Sequence, residues 1–172
     1  DSTGTQALGG TQVLTSGIVL GSAVVDSTTY DSVRCTVGGT TPGARNIIAA
    51  NRSSGITIFQ GQENLVQGNR IGTNLDGTAA LANGSGITVG GPRAKRNTIG
   101  SATVAARNLI SGNSVNGVQL GSDENTVQGN YIGTQADGQK LLKNGSHGIR
   151  VYANKNIIGG AGDGAGNLIT FN

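Results

Sequence analysis

NLVQGNRIGT, residues 64–73, returns as NTVQGNYIGT at residues 125–134, 61 residues further along the chain. In both copies an Asn stands two places before an apolar residue, twice: Asn64/Val66 then Asn69/Ile71, and Asn125/Val127 then Asn130/Ile132. A spacing of two puts both side chains of each pair on the same face of an extended strand. Because one member is Ile or Val, that face is the buried one, and the Asn is carried inside with it.

Working outward, the first family of such pairs comprises Asn46/Ile48, Asn69/Ile71, Asn108/Ile110, Asn130/Ile132 and Asn167/Ile169. The second comprises Asn64/Val66, Asn97/Ile99, Asn125/Val127 and Asn156/Ile158, with Cys35/Val37 in the same slot. A third segment, Gly-[Ile/Val]-x-[Ile/Val/Leu], occurs as GITI (55–58), GITV (86–89), GVQL (117–120) and GIRV (148–151), so Ile56, Ile87, Val118 and Ile149 are each 31 residues apart. GIVL at 17–20 is an earlier, irregularly spaced member. Three short segments of period two thus recur in fixed order, punctuated by Gly, Asn and Ser, and the repeat dictates the fold.

The predicted fold is all-β: a parallel β-helix, a solenoid with about three short strands per coil, successive coils about 4.8 Å apart. Identical columns follow, Ile on Ile and Asn on Asn. An amide ladder relieves each buried Asn of a cost of about 1–3 kcal/mol for unmet hydrogen bonds. The ladder residues expected are Asn46, Asn69, Asn108, Asn130 and Asn167 in one column and Asn64, Asn97, Asn125 and Asn156 in another, with Cys35 as a small buried terminator of the second. GTAALAN and GQKLLKN alone are helix-friendly, and both are too short to stand as helices.

Turn lengths alternate. Second-family to first-family spacing is five residues (Asn64 to Asn69, Asn125 to Asn130) or 11 (Cys35 to Asn46, Asn97 to Asn108, Asn156 to Asn167). The unit is therefore a pair of coils, one short and one long. Long excursions at 73–85 and 134–146 are expected at one corner and a second loop series at 38–45, 100–107 and 159–166 at another. The chain reads as one domain, 1–172, with 1–45 less regular and 46–172 regular. TGTQAL at 3–8 matches DGTAAL at 76–81, which places residue 1 inside an excursion; a segment of a longer solenoid and a subunit that stacks through open ends are both consistent with that.

RNLISGNSVNGVQL and NTVQGNYIGTQADG resemble the right-handed parallel β-helix repeats of large secreted or surface-attached bacterial proteins, a pectate-lyase-like solenoid architecture. The likeness runs from Val37 onward and more faintly from Thr3. It implies right-handed winding, an extracellular or cell-surface setting, and roles from adhesion and structural stalks to carbohydrate processing.

The composition narrows these roles. The chain has 31 Gly, no Trp, no Met, three Tyr and two Phe, so small aliphatic contacts build the core. Charged residues are 12% of the chain and the net charge is +3, with PRAKR at 92–96 the nearest approach to a basic block. No clustered bases with aromatic platforms mark a nucleic-acid reader. A single Cys excludes an internal disulfide, and no spacing suits zinc. No apolar run approaches 18 residues and no signal-peptide pattern opens the chain, so no membrane insertion is expected.

Nine acids are scattered rather than clustered. Asp76 and Asp137 are repeat-equivalent, as are Glu63 and Glu124; two coils apart, each pair spans about 10 Å, beyond the usual separation of glycosidase carboxylates. No catalytic residue and no cofactor is assigned. Asp76 and Asp137 are weak calcium candidates, although Asp-Gly is mostly turn chemistry. His147 has no Ser or Cys partner motif. Thr57, Thr88, Thr98 and Thr126 share columns with Gln119, Arg150, Leu65 and Ile157, which breaks any regular ice-matching Thr array. Basic columns remain: Arg34, Arg96 and Lys155 before the second family, Arg45 and Arg107 before the first. They read as solubilising residues, with Arg45, Arg107, Arg96 and Lys155 as candidate surface contacts for an acidic polysaccharide. The function expected is a non-enzymatic extracellular structural or adhesive module, a surface stalk or an end-to-end fibre that self-associates through its open ends. The alternative is a domain that binds or cleaves polysaccharide.

Overall fold

A computed structural model describes residues 15–25 and 28–172. The match between residues 3–8 and 76–81 lies outside the described residues. Along the chain run β1 (Ile18–Val25), β2 (Thr28–Asp31), β3 (Thr36–Gly38), β4 (Ile47–Ile48), β5 (Ser54–Phe59), β6 (Leu65–Gln67), β7 (Arg70–Ile71), β8 (Ser85–Gly90), β9 (Thr98–Gly100), β10 (Leu109–Ile110), β11 (Val118–Leu120), β12 (Thr126–Gln128), β13 (Tyr131–Ile132), β14 (Ile149–Val151), β15 (Ile157–Ile158) and β16 (Leu168–Ile169). Two single 3-10 turns, Pro42–Ala44 and Val104–Ala106, are the helical elements among the described residues.

These strands form a right-handed parallel β-helix with three sheets. The first sheet stacks β14-β11-β8-β5-β1, the second β15-β12-β9-β6-β3 and the third β16-β13-β10-β7-β4. The registers match the columns read from the sequence: Ile56 pairs with Ile87, Val118 with Ile87 and with Ile149, Val66 with Ile99, Val127 with Ile99, and Ile71 with Ile110. GIVL joins the same column through Ile18 opposite Ile56. One element was not foreseen. The strand β2 folds back antiparallel on β1, pairing Ser22 with Asp31 through Val25 with Thr28, so that among the described residues the first sheet ends on a hairpin.

The interior is a narrow tube of stacked aliphatics. Ile56, Ile58, Ile71, Ile87, Ile99, Ile110, Leu120 and Ile132 are fully buried, with Val66, Val89, Val118 and Val127 filling the smaller positions. Each such side chain contributes about 1.5–3 kcal/mol relative to exposure, and β-branched side chains suit strands. The core needs no aromatic residue because opposing sheets lie close enough for aliphatics to meet.

Alternate turns explain why coils of unequal corners still climb by 31 residues. Where the corner between the second and third sheets is short, at Gly68-Asn69 and Gly129-Asn130, the long turns of the neighbouring coils lean over it. The Gly68 N–H donates to Ala106 O at 2.9 Å and the Gly129 N–H to Ala165 O at 3.0 Å. Both glycines hold positive φ, +70° and +67°, and a Cβ on either would run into the carbonyl of Gly39 or of Ser101. Only glycine fits beneath those overhangs.

Candidate functional site

Three corners join the three sheets, and an Asn ladder runs up each. At the first corner Asn46, Asn69, Asn108, Asn130 and Asn167 are linked Nδ2 to Oδ1 at 2.9, 3.1, 2.9 and 3.0 Å. At the second, Asn64, Asn97 and Asn125 are linked at 2.9 Å each, and the Asn125 backbone N–H donates to Asn156 Oδ1 at 2.8 Å. Cys35 ends this ladder, its backbone N–H donating to Asn64 Oδ1 at 2.9 Å, but it is half-buried and not the buried residue expected. The third ladder, Asn51, Asn83, Asn113, Asn144 and Asn172, linked at 2.8, 3.0, 2.9 and 2.8 Å, escaped the sequence reading.

Each interior amide serves three coils. Asn108, fully buried, accepts on Oδ1 from the backbone N–H and the Nδ2 of Asn69, and donates from Nδ2 to Asn130 Oδ1 and Val66 O. Two acceptor sites and two donor sites are filled, the full capacity of a carboxamide. Asn46, at the outset of its ladder, is exposed but bonded, while Asn69, Asn108 and Asn130 are buried.

The charged columns form a second set. Arg34, Glu63, Arg96, Glu124 and Lys155 occupy equivalent positions just before the second-ladder Asn slots, all with positive φ between 54° and 62°. Sequence reading treated the bases and the acids as separate series; stacked in order they alternate in sign. Arg34 and Arg96 both grip Glu63, at 2.9 and 3.1 Å, and Lys95 lies 3.5 Å from Glu124. Hydrogen bonds from Arg34, then from Arg96, hold the Glu63 carboxyl below its ordinary value. Arg96 is thus engaged by Glu63 and by Gln62 Oε1, whereas Lys155 is exposed on the same column.

Arg45 and Arg107 stand elsewhere. Their Nε atoms donate to Gly68 O at 3.4 Å and Gly129 O at 3.1 Å, each reaching one coil onward over the short turn. The Arg107 guanidinium also lies 4.0 Å from the centroid of Tyr131. The two long excursions fold their Asp-Gly turns over the outer face of the third sheet, where Ile47, Arg70, Leu109, Tyr131 and Leu168 form a column. They touch through Ala136 N–H to Gly77 O at 3.0 Å. Between overhangs and excursions lies a cleft of about 160 Å³ lined by Arg45, Arg70, Arg107, Val104, Leu109, Tyr131 and Ala136. Arg70 was not singled out from sequence, because its column is otherwise apolar or aromatic.

Asp76 and Asp137 are exposed on separate excursions. The Asp137 carboxylate accepts from the backbone N–H groups of Gln139 and Lys140 at 2.9 and 3.2 Å, which holds its carboxyl below the ordinary value. Asn74 does the same work in the first excursion, accepting from the Thr78 and Ala79 N–H groups at 2.9 and 3.1 Å. Both are turn-forming contacts. Among the described residues no three His, Cys, Asp or Glu gather as a metal-holding group. His147 Nδ1 contacts Ser146 Oγ at 2.8 Å and Asn116 Oδ1 at 3.0 Å.

Compared with known proteins, the chain matches no family model, no curated protein and no solved structure.

Proposed function

We propose that this chain is a rod-building structural module, non-enzymatic, whose coils stack end to end to extend a stalk or fibre. The supporting observation is the chemistry of the last rung. Ile158 is 44% exposed and Ile169 44%, while the residues one coil below in the same columns, Val127 and Ile132, are at 0%. These side chains are copies of core residues without a cover. The ladders share one polarity: Asn69, Asn108, Asn83 and Asn113 each pass an Nδ2–H to the Oδ1 of the following coil, and on the last rung Asn156 Nδ2 is buried with no acceptor among the described residues. A further coil of the same repeat, continued in this chain or brought by another copy, supplies the aliphatic lid. Because donor and acceptor ends differ, stacking of copies is head to tail and does not close on itself. A secreted or cell-surface role in bacteria, as the repeat resemblance implies, belongs to the same proposal.

Negative-stain electron microscopy and sedimentation over rising concentration test it. Unbranched filaments of one coil's width are expected, and Ile158→Lys with Ile169→Lys should leave short rods. Short rods alone, at every concentration and in both proteins, would refute stacking.

A further inference from the structure

The arginine cleft is explained neither by the ladders nor by stacking. Arg45, Arg70 and Arg107 belong to three successive coils, about 4.8 Å apart in rise, so the outer two bracket the middle one by a rung on each side. None of the three takes part in a salt bridge among the described residues, in contrast to Arg34, Arg93, Lys95 and Arg96. Asp76, on the neighbouring excursion, favours the charge on Arg70 but makes no ion pair with it. Burial, and then the positive charge of Arg45, act against the Arg70 cation. Arginines lining one small hollow repel one another, and an anion bound among them relieves that repulsion.

Repeat architecture argues that this is no by-product of the scaffold. Two coils on from Arg70 the equivalent position holds Tyr131, and two coils on from Arg107 it holds Gly166. The overhang contacts of Arg45 and Arg107 use only Nε, which leaves their terminal nitrogens for another partner. Among the described residues Arg70 makes no such hydrogen bond; it stands in an outward column whose other members are Ile47, Leu109, Tyr131 and Leu168.

We propose that the cleft between Arg45, Arg70 and Arg107 is an oxyanion-binding site that takes one carboxylate or sulfate group of an anionic ligand, with Arg70 as the central donor. A volume of about 160 Å³ is ample for one such group. Guanidinium forks suit planar and tetrahedral oxyanions through paired N–H···O bonds. The apolar wall of Val104, Leu109 and Ala136 suits the carbon skeleton that carries the anion.

The test is a titration of the isotopically labelled chain, at low salt, with inorganic sulfate in one arm and tri-galacturonate in the other, followed by the Nε–H signals of the arginines. A saturable shift at Arg70 is expected in at least one arm; tighter binding in the second identifies a saccharide-borne carboxylate, and equal or tighter binding in the first a free or ester sulfate. Arg70→Tyr installs the residue the repeat itself uses at 131, so it retains the fold, as an unchanged melting curve would verify. Removing a charge-assisted donor pair should weaken binding by about tenfold or more. Arg96→Gln, on the paired column, should leave affinity unchanged. Absence of saturable shifts in both arms, or equal affinity in Arg70→Tyr, would overturn the proposal.

Discussion

Replacing Asn108 by Leu probes the ladders where they are most enclosed. Four hydrogen bonds end on this side chain, and leucine is close enough in volume to leave no large cavity. Some partners have alternatives: Asn69 Nδ2 still reaches Val37 O at 2.9 Å and Gln67 O at 3.0 Å. The Asn69 backbone N–H, whose acceptor is Asn108 Oδ1, is stranded inside the tube. A stranded buried group costs about 1–3 kcal/mol, each further lost bond about 0.5–1.5, and added apolar burial returns about 1–2. The net expectation is a loss of about 2–5 kcal/mol. Asn46→Leu, at the exposed start of the same ladder, should cost less than about 1 kcal/mol. Urea denaturation followed by far-UV circular dichroism measures both. A midpoint for Asn108→Leu equal to wild type, or equal to that of Asn46→Leu, would refute the reasoning.

Three other outcomes follow from the same structure. Gly68→Ala should destabilise by more than about 1–2 kcal/mol, since it forces an L-residue to positive φ beneath the Gly39 carbonyl, while Gly43→Ala, with open space around the new methyl, should be silent in the same melts. Ile110→Ala, in the core, should cost about 2–5 kcal/mol against about 0.5 or less for the exposed Val104→Ala, measured by denaturant midpoints. The lowered Glu63 carboxyl gives stability that is present above its ordinary value of 4.5 and is lost as pH falls through the lower folded-state value; Glu63→Gln should therefore remove part of the decline in midpoint seen on acidification from about pH 6 to pH 3, and an unchanged decline would show that the Arg34–Glu63–Arg96 contact is not formed.

How much of this was legible beforehand depended on whether a residue keeps a strand's spacing from its inward neighbour. Two ladders were readable because each Asn is bound to its aliphatic by the strand's fixed period of two. The Asn residues of the third ladder stand further from the next inward aliphatic, outside that period: Asn51 precedes Ile56 by five residues and Asn83 precedes Ile87 by four. A turn can absorb that one-residue difference and still deliver the amide to the same place. The hairpin of β1 and β2 was missed because its first strand matches the parallel repeat and the reversal begins beyond that match. The arginine cleft was half visible. Arg45 and Arg107 shared a sequence column, but Arg70 reaches them only because the long turns lean over the short one, which is a matter of packing and not of spacing.

Exchange of the Asn side-chain amide protons, read by NMR in deuterated solvent, tests the stacked-coil account most directly. The Nδ2 protons of Asn69, Asn108, Asn97, Asn125, Asn83 and Asn113 should be protected by orders of magnitude relative to the exposed Asn154. Exchange of those six at the rate of Asn154 would contradict it.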